Sequence, residues 1–359
     1  MTEREYLVLL YSFVPFGPAR GGLLISFFGS ARAAWNARAR ALISVGLSQK
    51  LTEQFLGFRE SFDPVFYFKE LKRRGISFVC ASDPNYPENL AGLSDAPPVV
   101  YVMGEIKRND ASAIAIVGSR KMTSYGREVT EKFASELANL GITIVSGLAR
   151  GIDTVAHESA LAQDARTLAV LGCGLDKVYP PENTQLAKRI IKNGALISEY
   201  PLGHPALPIN FASRNRIISG LARAVLVVEG QERSGTLLTA SHAAQQGRAV
   251  FAVPGQITSP MSAAPHFLIK SGAKMVTNVK DILEELNLEL AVNREAVEKV
   301  LPQSQDEEDL IKILANEPFH LDEIVKLANL PVAEISARLT IMELKGMVKN
   351  MGRGIYKKV

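Results

Sequence analysis

Only two cysteines, Cys80 and Cys173, occur in 359 residues. That is too few for a disulfide framework or a thiolate-built metal site, and it fits a reducing compartment. The five histidines, His157, His204, His242, His266 and His320, are scattered without HxxxH or HExxH spacing, so no metal site is expected. No apolar run approaches the roughly 18–20 residues of a membrane span. The apolar N-terminal stretch has Glu3 and Glu5 ahead of it and no small-residue cleavage site, which makes a poor signal peptide and leaves a cytoplasmic chain as the expectation. A GxxxxGK[ST] loop is missing, which argues against a P-loop motor. Ser146 in VSGLA lacks the GxSxG elbow, and neither cysteine has basic neighbours to activate it. No catalytic residue, cofactor or enzymatic activity is therefore expected.

Charge is also sparse in sum. Lys and Arg number 41 against 37 Asp and Glu, a net charge of +4, with 47% apolar residues. Residues 111–285 carry 18 Lys and Arg against 14 Asp and Glu, whereas residues 286–359 carry 10 against 12. A small positive excess suits an ordinary mixed surface as readily as an anionic partner, so the positions of the charges must decide.

What the chain does have is rhythm. IAIVG (114–118), TIVSG (143–147), TLAVLG (167–172), ALISEYP (195–201), AVLVVEG (224–230) and AVFAVPG (249–255) are short apolar runs closed by Gly or Pro, with KMVTN (274–278) a seventh candidate. Continuous apolar runs without alternation suit parallel strands buried on both faces. The segments between them read as helices. In one, Tyr125, Val129, Phe133 and Leu137 recur every four residues before the stop signal Gly141. The alternation predicts an α/β domain, a Rossmann-like, doubly wound and mostly parallel sheet.

The flanks differ. Residues 1–62 read as a small helical domain, and a Pro-punctuated extended stretch leads from residue 63 into the α/β domain, expected to span 63–286. A linker is expected over 287–304, where the composition changes, and Gln303 to Asp309 is polar and acidic enough to be a linker or a helix start. Residues 305–359 show three short helices and a hairpin with Gly352 and Gly354 near its tip, the outline of a winged helix.

In an open parallel sheet, ligands bind beyond the carboxyl ends of the strands. Gly118, Ser119, Arg120 and Lys121 follow the first run, Gly147, Arg150 and Gly151 the second, and Ser234, Gly235 and Thr236 the fifth. Glycines let a backbone approach a ligand, hydroxyls and free N–H groups bind phosphate, and arginine adds bidentate pairing. Only GSR stands where a GxGxxG dinucleotide fingerprint would be. A further cluster, Phe211, Arg214, Asn215 and Arg216, opens the helix before the fifth run. An aromatic ring beside two arginines suits a single-stranded nucleic-acid groove. A helix start whose arginines pair with local carboxylates explains the spacing equally well.

Read in order, GSR, IVSGLARGIDTVAH, VLGCGLDKVYP, ISEYP, RNRIISGLARAVLVVE, SGTLLTA and GRAVFAVPG closely resemble the DNA-processing protein A family (DprA, also called Smf). The resemblance covers residues 63–285. It implies a Rossmann-like domain that binds single-stranded DNA, forms a homodimer and loads RecA during natural transformation or recombination. An N-terminal domain resembling a sterile alpha motif and a C-terminal winged helix accompany it. It also implies that Ser119 and Arg120 hold a phosphate, with Gly147, Arg150 and Gly151 as the adjoining wall. Phe211, Arg214, Asn215 and Arg216 would line the strand path, and Ser234, Gly235 and Thr236 would complete the cradle. The segment SAAPHFLIKSGA is a candidate dimer contact. The alternative is a nucleotide-hydrolysing phosphoribohydrolase of similar core. Those enzymes place an acidic residue where Thr239 stands, and without it the glycosidic bond has no acid or base.

Overall fold

Each of the six apolar runs forms a strand in the computed structural model, which describes residues 1–286, 305–314, 317–328, 330–344, 347–351 and 354–358. The expected linker, 287–304, lies outside the described residues. The chain divides into two compact units, Met1–Glu289 and Leu290–Val359.

The first unit is built on a nine-stranded sheet: β1 (Ile76–Cys80), β2 (Val99–Gly104), β3 (Ile114–Val117), β4 (Ile144–Ser146), β5 (Thr167–Val170), β6 (Gly194–Ser198), β7 (Ala224–Val227), β8 (Ala249–Ala252) and β9 (Lys274–Met275). The strand order is β1-β2-β6-β5-β4-β3-β7-β8-β9. Strands β3 to β9 pair in parallel, and KMVTN supplies the seventh parallel strand. The extended stretch after residue 63 becomes an antiparallel pair, β1 and β2, laid against β6. Its prolines obscured the strands in the sequence.

Both faces of the sheet are covered, which is why its strands are apolar throughout. Ala115, Val117, Val145, Leu168, Val170, Val225 and Val227 pack on one side. Ile114, Ile116, Ile144 and Leu226 pack on the other with Phe133, Leu137 and Ala156 of the neighbouring helices. The helix Ser124–Asn139 buries Phe133 and Leu137 as expected, while Tyr125 stands exposed and donates to the Pro254 carbonyl. Thr130 and Ala134 take the central buried positions, one step round from the expected stripe.

Six helices precede the sheet, from Glu3–Ser12 to Pro64–Arg73. Phe13, Phe16, Trp35 and Phe55 form their core. This module is joined to the sheet by a buried hydroxyl chain. Tyr67 Oη donates to Tyr101 Oη at 2.9 Å, and Tyr101 Oη meets Ser12 Oγ at 3.3 Å. Val8, Tyr67 and Leu71 share a core with Ile76, Tyr101 and Leu196.

The second unit is a winged helix. Its helices Gln305–Ile313, Leu321–Ala328 and Val332–Leu344 precede an antiparallel pair, Val348–Asn350 and Ile355–Lys358. A third short strand, Phe319–His320, joins the other edge of Ile355–Lys358. Ile324, Ile335, Leu339 and Met342 fill its centre.

Tyr101→Phe removes the central member of the hydroxyl chain and leaves Tyr67 and Ser12 without it. A loss of about 1–2 kcal/mol in denaturant unfolding is expected.

Candidate nucleic-acid interface

The strand order reverses direction between β3 and β7, the topological switch point at which open α/β sheets bind ligands. A cavity of about 350 Å³ opens there. One wall is the turn after β3, Gly118-Ser119-Arg120; the other is Ser234, Gly235 and Thr236, at the start of the helix Gly235–Gln245. The helix Pro208–Leu221 closes the side with Phe211, Arg214 and Asn215. Nine of the fourteen expected site residues therefore meet in one cavity. Gly147 and Arg150 line a narrower slot beside it, together with Tyr179.

Each wall has a local cause. Ser119 Oγ accepts from the Lys121 N–H at 3.0 Å, which tightens the turn, and the Ser119 carbonyl accepts from the Ile152 N–H at 3.2 Å. Gly151 has φ 76°, and a Cβ there would strike the Ser119 carbonyl, so the turn after β4 can nest against the turn after β3 only with glycine. Asn215 Nδ2 donates to the Gly235 carbonyl at 3.3 Å, tying the side wall to the far one. Thr236 is buried, with its hydroxyl against Ser234 Oγ, so Gly235 and Ser234 present the accessible backbone.

The arginines play three different parts. Arg120 is exposed, with its guanidinium 5.4 Å from the Phe211 ring centroid. Tyr179 lies on the same ring, 5.3 Å between centroids and tilted by 34°. Phe211 is half-buried, so the cavity edge holds a cation and two rings in contact. Arg214 is only 4% exposed. Its Nη1 donates to the Gly147 carbonyl at 2.6 Å and to the Val170 carbonyl, so it binds the ends of β4 and β5 to the helix and forms the cavity floor. Burial pushes its pKa down to about 10, with Asp153 pulling it back up, which leaves it charged at neutral pH. Asp153 accepts from the Gly147 and Ala149 amides at 3.1 and 3.4 Å. Burial raises its pKa, and Arg214 opposes the rise.

Arg150 and Arg216 make ion pairs, with Glu182 and Glu199 respectively. Arg216 faces away from the first cavity. Lys121 is exposed beyond the turn, and Gly151 shapes the wall without lining the cavity. Tyr179, Asp153 and Gln231 join the site without having been singled out in the sequence. Tyr179, the aromatic of VYPP just beyond the third run, carried the one visible signal.

Comparison with known proteins now decides the family. Residues 77–287 match the family model described as DNA recombination-mediator protein A, and residues 295–352 match the DprA winged helix domain. The chain belongs to the DprA/Smf family. It is 34% identical to Protein Smf of Synechocystis over 97% of this chain and 96% of that protein. The crystal structure of DprA from Streptococcus pneumoniae superposes with a TM-score of 0.67 at 33% identity, over 79% of this chain and 98% of that one. A DNA processing protein A structure from Helicobacter pylori, described for its single-stranded DNA binding mode, gives a TM-score of 0.53 at 30% identity over 59% and 95%. Among the described residues no single helix is long and apolar enough to cross a membrane.

For this DprA/Smf member the two kinds of arginine have separable consequences. Arg214→Ala strips donors from the Gly147 and Val170 carbonyls and leaves Asp153 without its compensating charge. A loss of about 3–5 kcal/mol is expected in thermal or urea unfolding. Arg120→Ala, at an exposed position, is expected to stay within about 0.5 kcal/mol of the parent.

His157, fully buried below the site, gives a pH signature. Thr167 Oγ1 donates to the Ile144 carbonyl, so it accepts from His157 Nδ1 at 2.7 Å and fixes the neutral Nδ1–H tautomer. Burial, with Arg214 nearby, lowers the His157 pKa to about 3. The unfolded chain takes up this proton near pH 6.5 and the folded chain does not, so stability is full above that pH and falls as pH drops toward 3. Urea midpoints measured from pH 7 to pH 4 are expected to fall, and to fall less steeply in His157→Asn.

Proposed function

We propose that this chain is a recombination mediator that binds single-stranded DNA in the switch-point cavity by phosphate neutralisation and base stacking, without covalent chemistry. It shelters the strand, acts as a homodimer and passes the strand to a RecA recombinase in transformation or general recombination. One observation carries the DNA reading: the exposed Arg120 guanidinium sits over Phe211, with Tyr179 on the same ring, beside hydroxyl and backbone donors of two loops. A cation and stacking rings along one rim are what a strand of alternating phosphates and bases requires.

Family membership supports the recombination role, and the relative from Helicobacter pylori is described as binding single-stranded DNA. The homodimer is supported by the half-exposed Phe267, which lines an apolar groove of about 380 Å³ between the helices Gly235–Gln245 and Ala263–Lys270, within the segment expected to make that contact. The hydrolase alternative lacks its acid. Position 239 is a buried threonine, and Asp153, the carboxylate on the cavity wall, is held by backbone amides.

Fluorescence anisotropy tests the reading. Single-stranded oligonucleotides are expected to bind more tightly than duplex, with affinity falling steeply as salt rises. Arg120→Ala and Phe211→Ala are each expected to weaken binding about tenfold or more. Equal affinity for duplex, or affinity independent of salt, would overturn it, and release of free base from a nucleoside monophosphate would replace it with the hydrolase.

A further inference from the structure

The helix Pro208–Leu221 has a cavity on each side. Phe211, Arg214 and Asn215 turn toward the first, whereas Ile209, Ser213 and Arg216, spaced four and three residues apart, turn toward a second of about 360 Å³. The second cavity opens on the same rim of the sheet. Its wall includes Glu199 and Tyr200, just beyond the carboxyl end of β6, and Pro97 and Pro98, which lead into the antiparallel β2 and therefore lie beside that end. Tyr11 and Pro18 of the N-terminal helices close it.

The chemistry of this cavity differs from that of the first. Arg216, the arginine on its wall, is paired with Glu199, and both side chains are nearly buried, 12% and 14% exposed. No uncommitted cation on the wall is left for a phosphate. Apart from Asn210 and Ser213 the rest is largely apolar, and Tyr11, Pro18, Pro97 and Pro98 offer flat faces that suit a planar ring. Glu199 Oε2 meets Arg216, but Glu199 Oε1 is buried with no hydrogen-bond partner. That oxygen is closed off from the open surface of the cavity, so the Arg216–Glu199 pair stays within the wall. Ile209, 71% exposed, stands in the first turn of the helix between the two openings.

We infer that the second cavity is a nucleobase subsite. A strand held by its phosphate at Arg120 crosses the first turn of the helix past Ile209 and places a neighbouring base in the second cavity. Tyr11 and the prolines cover the faces of that base. Every base presents a flat face, so the subsite reads the presence of a base and tolerates its identity. This rests on the single-strand reading of the first cavity.

The test uses the full chain and oligothymidylates of increasing length, followed by anisotropy. The parent protein is expected to gain affinity in a step when the strand becomes long enough to reach the second cavity. Ser213→Trp, at an exposed position on the cavity lip, is expected to lose that step, about tenfold for long strands, and to keep the parent affinity for short ones. An abasic site moved along a long strand on the unaltered protein provides a measurement that needs no variant. Besides the position stacked on Phe211, a second position is expected to cost about tenfold. A scan with one sensitive position, or a Ser213→Trp protein that matches the parent at every length, would overturn the subsite and leave the first cavity standing. Absence of any single-strand binding by the parent would overturn both.

Discussion

The rim on which the site is built depends on one buried charge. Arg214 reaches from the helix Pro208–Leu221 to the carbonyls at the ends of β4 and β5, and Asp153 holds the amides of the same turn from the other side. Polar backbone at the end of a strand would otherwise need water or a cap. A guanidinium, always charged and rich in donors, satisfies two carbonyls at once and keeps the turn closed. Gly147 is part of this arrangement, since a Cβ there would fall about 2.7 Å from the Arg214 guanidinium carbon. With the floor fixed, Phe211 is held one turn away on the same helix, and Arg120 can lie over it.

A second buried carboxylate does comparable work on the other wall. Glu229, 4% exposed, accepts from the Thr123 amide at 2.9 Å, at the start of the helix Ser124–Asn139, and Thr123 Oγ1 in turn accepts from the Gly126 amide at 3.1 Å. A negative charge at a helix N-terminus is favourable. Here it ties the segment after β7 to the helix after β3, across the switch point. Acidic side chains near the cavity are thus spent on backbone donors, and the cationic edge faces solvent at Arg120. Carboxylates turned inward and an exposed guanidinium turned outward leave a cationic edge on the cavity.

Much of this was readable from the residues. The six apolar runs became strands because a parallel sheet covered on both faces requires residues that are apolar on both sides, and few other local patterns look like that. GSR and SGT could be placed on one rim because strand ends and glycines mark loops whatever their order in space. The antiparallel pair β1 and β2 was hidden, because its strands are separated by a Pro-rich stretch and add to the sheet only through β6, almost a hundred residues later. The helix Pro64–Arg73 packs on the sheet through Tyr67, whose hydroxyl donates to Tyr101 of β2, a contact no local pattern announces.

The sequence by itself determined the fold class, the rim and the kinds of side chain gathered on it, because these follow from local periodicity and from where strands must end. Only the tertiary structure decided what each arginine does. Arg120, Arg150, Arg214 and Arg216 look equivalent along the chain, yet one is exposed over an aromatic ring, one is buried beneath the site and two are matched with Glu182 and Glu199. The physical reason is that a charge acts through its neighbours and its burial. Those neighbours come from distant segments, 67 positions away for Gly147 against Arg214 and farther still for Phe211 against Arg120.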